Sequence, residues 1–372
     1  METLTVFSPG RVNLIGEHTD YNDGWVMPLA IDRGTTITAR RRDDNLLVVT
    51  TRTVRNETDS VALDALDAAN QTGWRAYVRG SAQALLDAGV ALVGADLTIE
   101  SNLPIGGGLS SSASLEVGVA TALLRLAGVT LPPTEVALAA QRAEQEYAHV
   151  NCGIMDQLAV AAGQANHATL IDCRSLEITL VPLPSEVAVL VVDSDVPRTL
   201  ATSAYNQRRI ECERAVTIMQ QIDPSIQSLR DVTSELLATA VERDILDDIA
   251  FRRARHVVSE NARVLAVAEA FRSGNFAYAG ELMNDSHWSL RDDYEVSGPE
   301  LDTLTELLRD LPGVLGARLT GAGFGGCCVA LVEQGHIASV AAQIVPAYNS
   351  ATGRSADAFS TTASALSVAS SQ

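Results

Sequence analysis

A chain of 372 residues is longer than one compact core usually supports, so two domains are expected. A net charge of −19, with 47% hydrophobic residues but no run of apolar residues long enough to span a bilayer, argues against nucleic acid, anionic lipid or a membrane as partner. All 27 basic residues are arginine, and without a lysine there can be no Walker A loop, protein-kinase strand lysine, Schiff base or serine-lysine hydrolase.

The start, METLTVFSPGR, has no basic region leading into an apolar run, so the chain is expected to stay in the cytoplasm. A strand is expected at 3–7, then a polar loop at 8–23. Strands at 25–31 and 34–40 follow the Asp23-Gly24 turn signal, and the arginines at 40–42 read as a solvated strand end. A helix is expected from Gly73 to Ala88, where Trp74, Tyr77, Val78, Ala82, Leu85 and Leu86 recur at helical spacing. The strand ADLTIES, the loop NLPIGGGLS and a helix to about Ala127, stopped by Gly128, come next. A further helix from Pro133 to about His149 carries Glu144 and Glu146. After Gly153 a short helix should hold Asp156 in its first turn, before the strand HATLIDC. The proline-bearing stretch 181–186 offers a domain boundary, giving domains 1–183 and 184–372. Beyond it, strands at 187–193, 315–320 and 327–332 bracket a mostly helical region from 200 to 310. That order suggests a two-domain α+β architecture, not one doubly wound sheet. The five cysteines are scattered, with no CxxC pair and no histidine at zinc spacing, as expected of reduced thiols.

Three segments can carry chemistry. In N-L-P-I-G-G-G-L-S-S-S-A-S (102–114), consecutive glycines let the backbone approach a ligand, and the serines open a helix whose N–H groups and dipole favour an anion. A glycine turn with a serine cap explains one residue of each kind, not three; a triphosphate cradle explains the run. In P-G-R-V-N-L-I-G-E-H-T-D-Y-N-D (9–23), Arg11, Glu17, His18 and Asp20 cluster on one loop. That mixture suits a polyhydroxylated ligand, whose hydroxyls need acceptors as well as donors. Zinc would need a second nearby histidine, which is missing. In L-T-G-A-G-F-G-G-C-C-V-A-L-V (319–332), a literal G-x-G-x-x-G leads into a strand pattern, not a helix. A dinucleotide site is therefore rejected in favour of a glycine-rich turn packed near the phosphate loop.

At these residues the sequence resembles the galactokinases of the GHMP kinase superfamily, over nearly its whole length. GRVNLIGEHTDYNDG resembles the galactokinase signature, PIGGGLSSSAS the superfamily's phosphate loop, and LTGAGFGGC its third motif. NCGIMDQ, the W-x-x-Y-V-x-G run at 74–80, SAYNQRRIEC and SLRDDYEVS are similar to further galactokinase motifs. The resemblance implies a ribosomal-S5-like N-terminal domain, a ferredoxin-like C-terminal domain and a site in the cleft between them. It implies Asp156 as proton acceptor and Arg11 as transition-state stabiliser. Glu17, His18, Thr19, Asp20, Gly153 and Tyr205 would hold the sugar. Trp74 would lie against adenine, and Gly106, Gly107, Gly108, Leu109, Ser110, Ser111 and Ser112 would wrap the phosphates of ATP. Ser112 and Glu144 would hold magnesium. The expected reaction moves the γ-phosphate of ATP to galactose, in a monomer; an N-acetylgalactosamine kinase or another GHMP kinase is the alternative. A catalytically silent sugar sensor should have lost part of the phosphate loop or the base, and both are intact here. Trp288 and Gly298 depart from the usual pattern, which would bear on sugar specificity if 286–298 is a loop near the site.

Overall fold

The computed structural model describes residues 3–53, 56–104, 107–197 and 201–371, the side chains of 201–203 and 371 excepted. Strand β1 (Thr3–Asn13) is followed by β2 (Trp25–Val26), β3 (Pro28–Arg41), β4 (Leu46–Thr51) and β5 (Glu57–Ala62). Helix α1 (Trp74–Asp87), β6 (Ala95–Ser101), α2 (Ser111–Leu126), α3 (Pro133–Arg142) and α4 (Met155–Ala162) come next, then β7 (His167–Asp172) and β8 (Ile178–Pro182). β9 (Val187–Asp193) precedes five helices: α5 (Ala201–Met219), α6 (Ser234–Glu242), α7 (Asp248–Ser273), α8 (Phe276–Asp292) and α9 (Pro299–Arg309). β10 (Val314–Leu319), β11 (Cys327–Glu333), α10 (Ile337–Thr352), β12 (Asp357–Thr361) and β13 (Ser367–Ser371) complete the order.

Three sheets result, with strand orders β13-β1-β3-β6-β4-β5, β10-β11-β9-β12 and β2-β7-β8. The first is covered by α1 to α4. Val6, Ile37, Val49 and Leu97 of its strands pack on Val78, Val117, Ala120, Leu123 and Leu158 of those helices. In the second, β9 and β11 are buried on both faces, which is why they read as unbroken apolar runs. Leu190, Val192, Cys328 and Ala330 face one core with Leu304, Ile344 and Tyr348. Val189, Val191, Val329 and Leu331 face another, shared with Val12, Leu14, Ile15 and Leu29 from the start of the chain. Each such side chain taken from water contributes about 1.5–3 kcal/mol, so this shared core clamps the segment after β1 against the second sheet.

Several expectations need correction. β1 runs on through Pro9 and Gly10 to Asn13, so the polar loop begins only after residue 13. The strands expected at 25–31 and 34–40 are largely one bent strand, β3. Its pairing with β1 slips between Pro9, opposite Gly34, and Arg11, opposite Ala30. A bulge of this kind re-aims the side chain beyond it. β4 and β5 fill a stretch with no predicted element. The helix expected to reach His149 leaves α geometry at Arg142 and closes with one π turn, Ala143–Tyr147, where Ala148 N–H bonds the Ala143 carbonyl. Most of 286–298 is helix α8, not loop; Trp288 stands exposed over Arg309 and Gly298 caps α9. No described helix is long and apolar enough to cross a membrane.

Candidate active site

Past the bulge in β1, the Arg11 guanidinium points at the first turn of α4. Its Nε and one Nη donate to the two carboxylate oxygens of Asp156, each at 2.8 Å, and the other Nη donates to the Gly108 carbonyl at 2.7 Å. Burial alone would lower the pKa of Arg11, but the carboxylates of Asp156 and Glu17 outweigh it and hold the group above its ordinary value. Ser110 also donates to Asp156. It reaches there because the residue before α2 sits at φ 56°, ψ 48°, with no side-chain bond capping the helix. A non-glycine residue in that left-handed region costs about 1–2 kcal/mol, and strain of this sort gathers at functional sites.

The loop after β1 is pinned from below. Gly16 N–H donates to buried Glu260 at 2.9 Å, and the Thr19 hydroxyl sits 2.8 Å from the Gly16 carbonyl and 2.6 Å from that of Trp25. Glu17 accepts from Gly321 N–H at 2.7 Å and lies 3.5 Å from the fully buried Arg318 guanidinium. Burial raises its pKa, against the pull of Arg318 and Arg11. The His18 ring nitrogens lie 3.0 Å from the Tyr21 hydroxyl and 3.3 Å from the Ala322 carbonyl, and its ring leans on Tyr205 with centroids 5.6 Å apart. Asp20 presses on Gly153: a Cβ there would fall 1.9 Å from an Asp20 oxygen, so any other residue would displace that carboxylate. Burial first, and then the charge of Asp156, push the Asp20 carboxyl up to about 7.

These groups border one cavity of about 410 Å³, which Arg11, Glu17, His18, Asp20, Gly153, Asp156 and Tyr205 share with Gly108, Ser110, Ser111, Ser112 and Glu144. Arg11 is the one guanidinium among its described lining residues. A second cavity, of about 270 Å³, adjoins it; Tyr77, Ser111 and Ser112 wall both, and Trp74, Ile99, Leu103 and Leu115 give the second a flat apolar lining. Trp74 donates its indole N–H to Glu57 at 3.2 Å. The N-terminus of α2 opens at the junction, with its free N–H groups and positive dipole end. A polar hollow, a helix end and an apolar slot thus stand in line, in the sequence needed by a polyol, a phosphate chain and a heteroaromatic base. At the same junction Ser112 and Glu144 share the wall of the first cavity, and the Glu144 carboxyl is pushed up to about 7 by burial and by Asp156. No described group of three or more His, Cys, Asp or Glu side chains can hold a metal; what the junction offers a cation is one hydroxyl and one carboxylate, the oxygen donors of a hard ion.

Residues 76–164 match the GHMP kinases N terminal domain, residues 2–41 the galactokinase galactose-binding signature and residues 267–350 the GHMP kinases C terminal domain. A galactokinase of Roseiflexus sp. (strain RS-1) is 50% identical over 353 residues, covering 95% of this chain and 89% of the relative. The chain belongs to the galactokinases of the GHMP kinase family. A galactokinase of Chloroflexus aurantiacus is 49% identical over 347 residues, covering 93% of this chain and 88% of the relative. The crystal structure of Lactococcus lactis galactokinase complexed with galactose superposes with a TM-score of 0.93 at 38% identity, covering 98% of this chain and 95% of that one. A mevalonate kinase structure shares the fold, with a TM-score of 0.67 at 19% identity over 96% of this chain and 98% of its own. The two-domain GHMP kinase architecture expected from the motifs is therefore the one observed.

Not every residue anticipated for the galactokinase site borders it. Gly106 lies outside the described residues. Gly107 is buried beneath the loop against Pro104, and Leu109 turns its side chain into the core while its carbonyl accepts from Arg11 N–H at 3.1 Å. Thr19 is fully buried with its hydroxyl engaged by backbone, so it shapes the loop and does not face the cavity. Conversely, Tyr77, Asn151, Cys152, Asn206 and Ala322 border the cavity without having been singled out. The helical spacing of Tyr77 gave it a core reading, and nothing local marks Ala322 as the partner of His18.

Proposed function

We propose that this chain transfers the γ-phosphate of ATP to the anomeric hydroxyl of galactose, giving galactose 1-phosphate and ADP. The observation that carries this reading is the placement of Asp156, held by Arg11 and Ser110 where the polar hollow meets the helix end. The sugar oxygen forms a bond to the γ-phosphorus, the bond from that phosphorus to the β,γ-bridging oxygen breaks, and the hydroxyl proton passes to Asp156. A carboxylate is base enough, because that proton leaves late. Arg11, already paired with Asp156, can turn an N–H toward the transferring oxygens. Glu17, His18, Asp20, Gly153 and Tyr205 hold the sugar. Ser110 to Ser112 and the α2 N-terminus receive the phosphates, and Trp74 borders the slot for adenine. Ser112 and Glu144 would hold magnesium, which when bound neutralises charge on the phosphate oxygens. The site's own carboxylates favour such an ion, since among the described lining residues a triphosphate entering beside Glu17, Asp20, Glu144 and Asp156 meets one guanidinium. A working place in the cytoplasm and a monomeric state belong to the same reading, as does a division of the chain near residue 184, between β8 and β9. Coupled detection of ADP across a sugar panel tests the reading: galactose should give the highest kcat/KM, and a better rate with N-acetylgalactosamine would overturn it.

Two expected results follow from the geometry. A carboxylate oxygen lost from Asp20 leaves a bound sugar hydroxyl unpaired, at about 1–3 kcal/mol. Asp20→Ala should then weaken galactose by roughly one to two decades, with ATP affinity nearly unchanged. Because the Asp20 carboxyl titrates at about 7 and only its ionised form accepts fully, galactose affinity should fall as the pH is lowered through that value, and Asp20→Asn should flatten the profile. Calorimetry across pH decides both; equal losses for sugar and nucleotide would assign this loop to folding alone. For the cation, Ser112→Ala and Glu144→Gln should each raise the magnesium needed for half-maximal rate, since each removes an oxygen donor. Superimposable magnesium titrations would remove that assignment.

A further inference from the structure

One buried side chain of the Asn151–Gln157 motif has no part in the transfer described above. Gln157 follows Asp156 in α4 and is fully buried. Its amide nitrogen donates to Glu144 Oε2 at 2.6 Å and lies 3.3 Å from Glu116 Oε2. Glu116 is itself fully buried, one helical turn after Ser112 on α2. A single amide thus joins the phosphate helix, the π turn that carries Glu144 and the helix that carries Asp156. The arrangement is costly: Glu116 Oε1 and Gln157 Oε1 are buried without a partner, and each such atom gives up its hydration with nothing in exchange. Two apolar side chains of similar volume would fill the same space without that expense.

We propose that Gln157 and Glu116 are positioning residues that hold Glu144 in the orientation from which it binds the nucleotide's divalent cation, and that they tie this ligand to the helix of Asp156. The inference rests on the reading of Ser112 and Glu144 as cation ligands. With Oε2 held by the amide, the Glu144 carboxylate cannot swing away from the cavity it borders. A neutral amide suits the task, because a guanidinium there would neutralise Glu144 and compete with the cation. Glu116 in turn keeps the nitrogen of the Gln157 amide, and not its oxygen, toward Glu144.

Manganese binding to the ADP complex, followed by electron paramagnetic resonance without galactose, reports the ligand apart from turnover. Gln157→Met should weaken manganese about 10-fold or more, the usual effect of removing a group that orients a metal ligand. Glu116→Leu should weaken it in the same direction, whereas Glu116→Gln, whose amide oxygen still accepts from Gln157, should stay close to the parent. Galactose affinity, measured by calorimetry without nucleotide, should be unchanged in all three. Glu144→Ala is the reference. If it loses manganese while Gln157→Met and Glu116→Leu keep parental affinity, the positioning role is wrong and the cation site stands. If Glu144→Ala binds manganese like the parent, the cation site falls and the inference with it. Equal loss of sugar and manganese, with Glu116→Gln as weak as Glu116→Leu, would indicate general loosening and also overturn it. Should Gln157→Met fail to fold, the two Glu116 variants decide the matter.

Discussion

Asp156→Asn is expected to lower turnover by about 10²–10⁴-fold, the usual contribution of a positioned base, while galactose and ADP still bind. The substitution removes the group that receives the hydroxyl proton. It also sets an amide N–H₂ against Arg11, which presents only donors to this side chain. The Arg11 fork then loses one of its two acceptors and the charge that balances it. Sugar and nucleotide contacts lie on other segments, so the loss should appear in kcat and leave binding measured by calorimetry within about tenfold. A folded Asp156→Asn enzyme with turnover near that of the parent would exclude Asp156 as the base.

Arg11→Met should be nearly as damaging, about 10³-fold in kcat, the lower end of what an arginine at a transferring phosphoryl supplies. Arg11→Lys should recover only part of this, because an ammonium cannot make the two parallel bonds that the fork makes to Asp156. Some stability is lost as well. The Asp156 side chain is 27% exposed, so water can replace part of the pairing, and the penalty should stay below that of breaking a fully buried pair. Steady-state kinetics at saturating substrates, beside the melting temperature of each variant, separates the two effects. A kcat for Arg11→Met within tenfold of the parent would show that cation, helix end and backbone suffice.

Much of the fold is legible where burial is strong and local. β9 and β11 show as unbroken apolar runs because both faces are covered, and α1 shows because its apolar residues recur on one face. The misses have physical causes. β5 is polar and half-exposed, at the far edge of its sheet, so no periodicity announces it. β13 lies within a serine- and alanine-rich stretch and takes its strand state from pairing with β1. Pro9 and Gly10 read as the end of β1, yet the bulge accommodates them and carries the strand on to Arg11.

The candidate site is legible in its types of residue and less so in its pairings. Glycines, serines and clustered acids announce a phosphate loop and a polyol loop from composition and spacing alone. That Ser110 turns its hydroxyl to Asp156 instead of capping α2 depends on a backbone angle that the sequence does not print. Glu116 and Gln157 read as ordinary helix residues, because what distinguishes them is where three separate segments meet.

The pairing of β13 with β1 sets Thr3 opposite Ser371, so the strand that delivers Arg11 is bordered by residues from the other extremity of the chain. A ribosome releases β1 early and β13 nearly the whole chain later. During that interval the outer side of β1 is an unpaired edge, of the kind that recruits foreign strands. Closing so large a loop is also a slow, entropically costly step. The arginine strand therefore gains its outer partner only after the residues between Asn13 and Ser367 have been made.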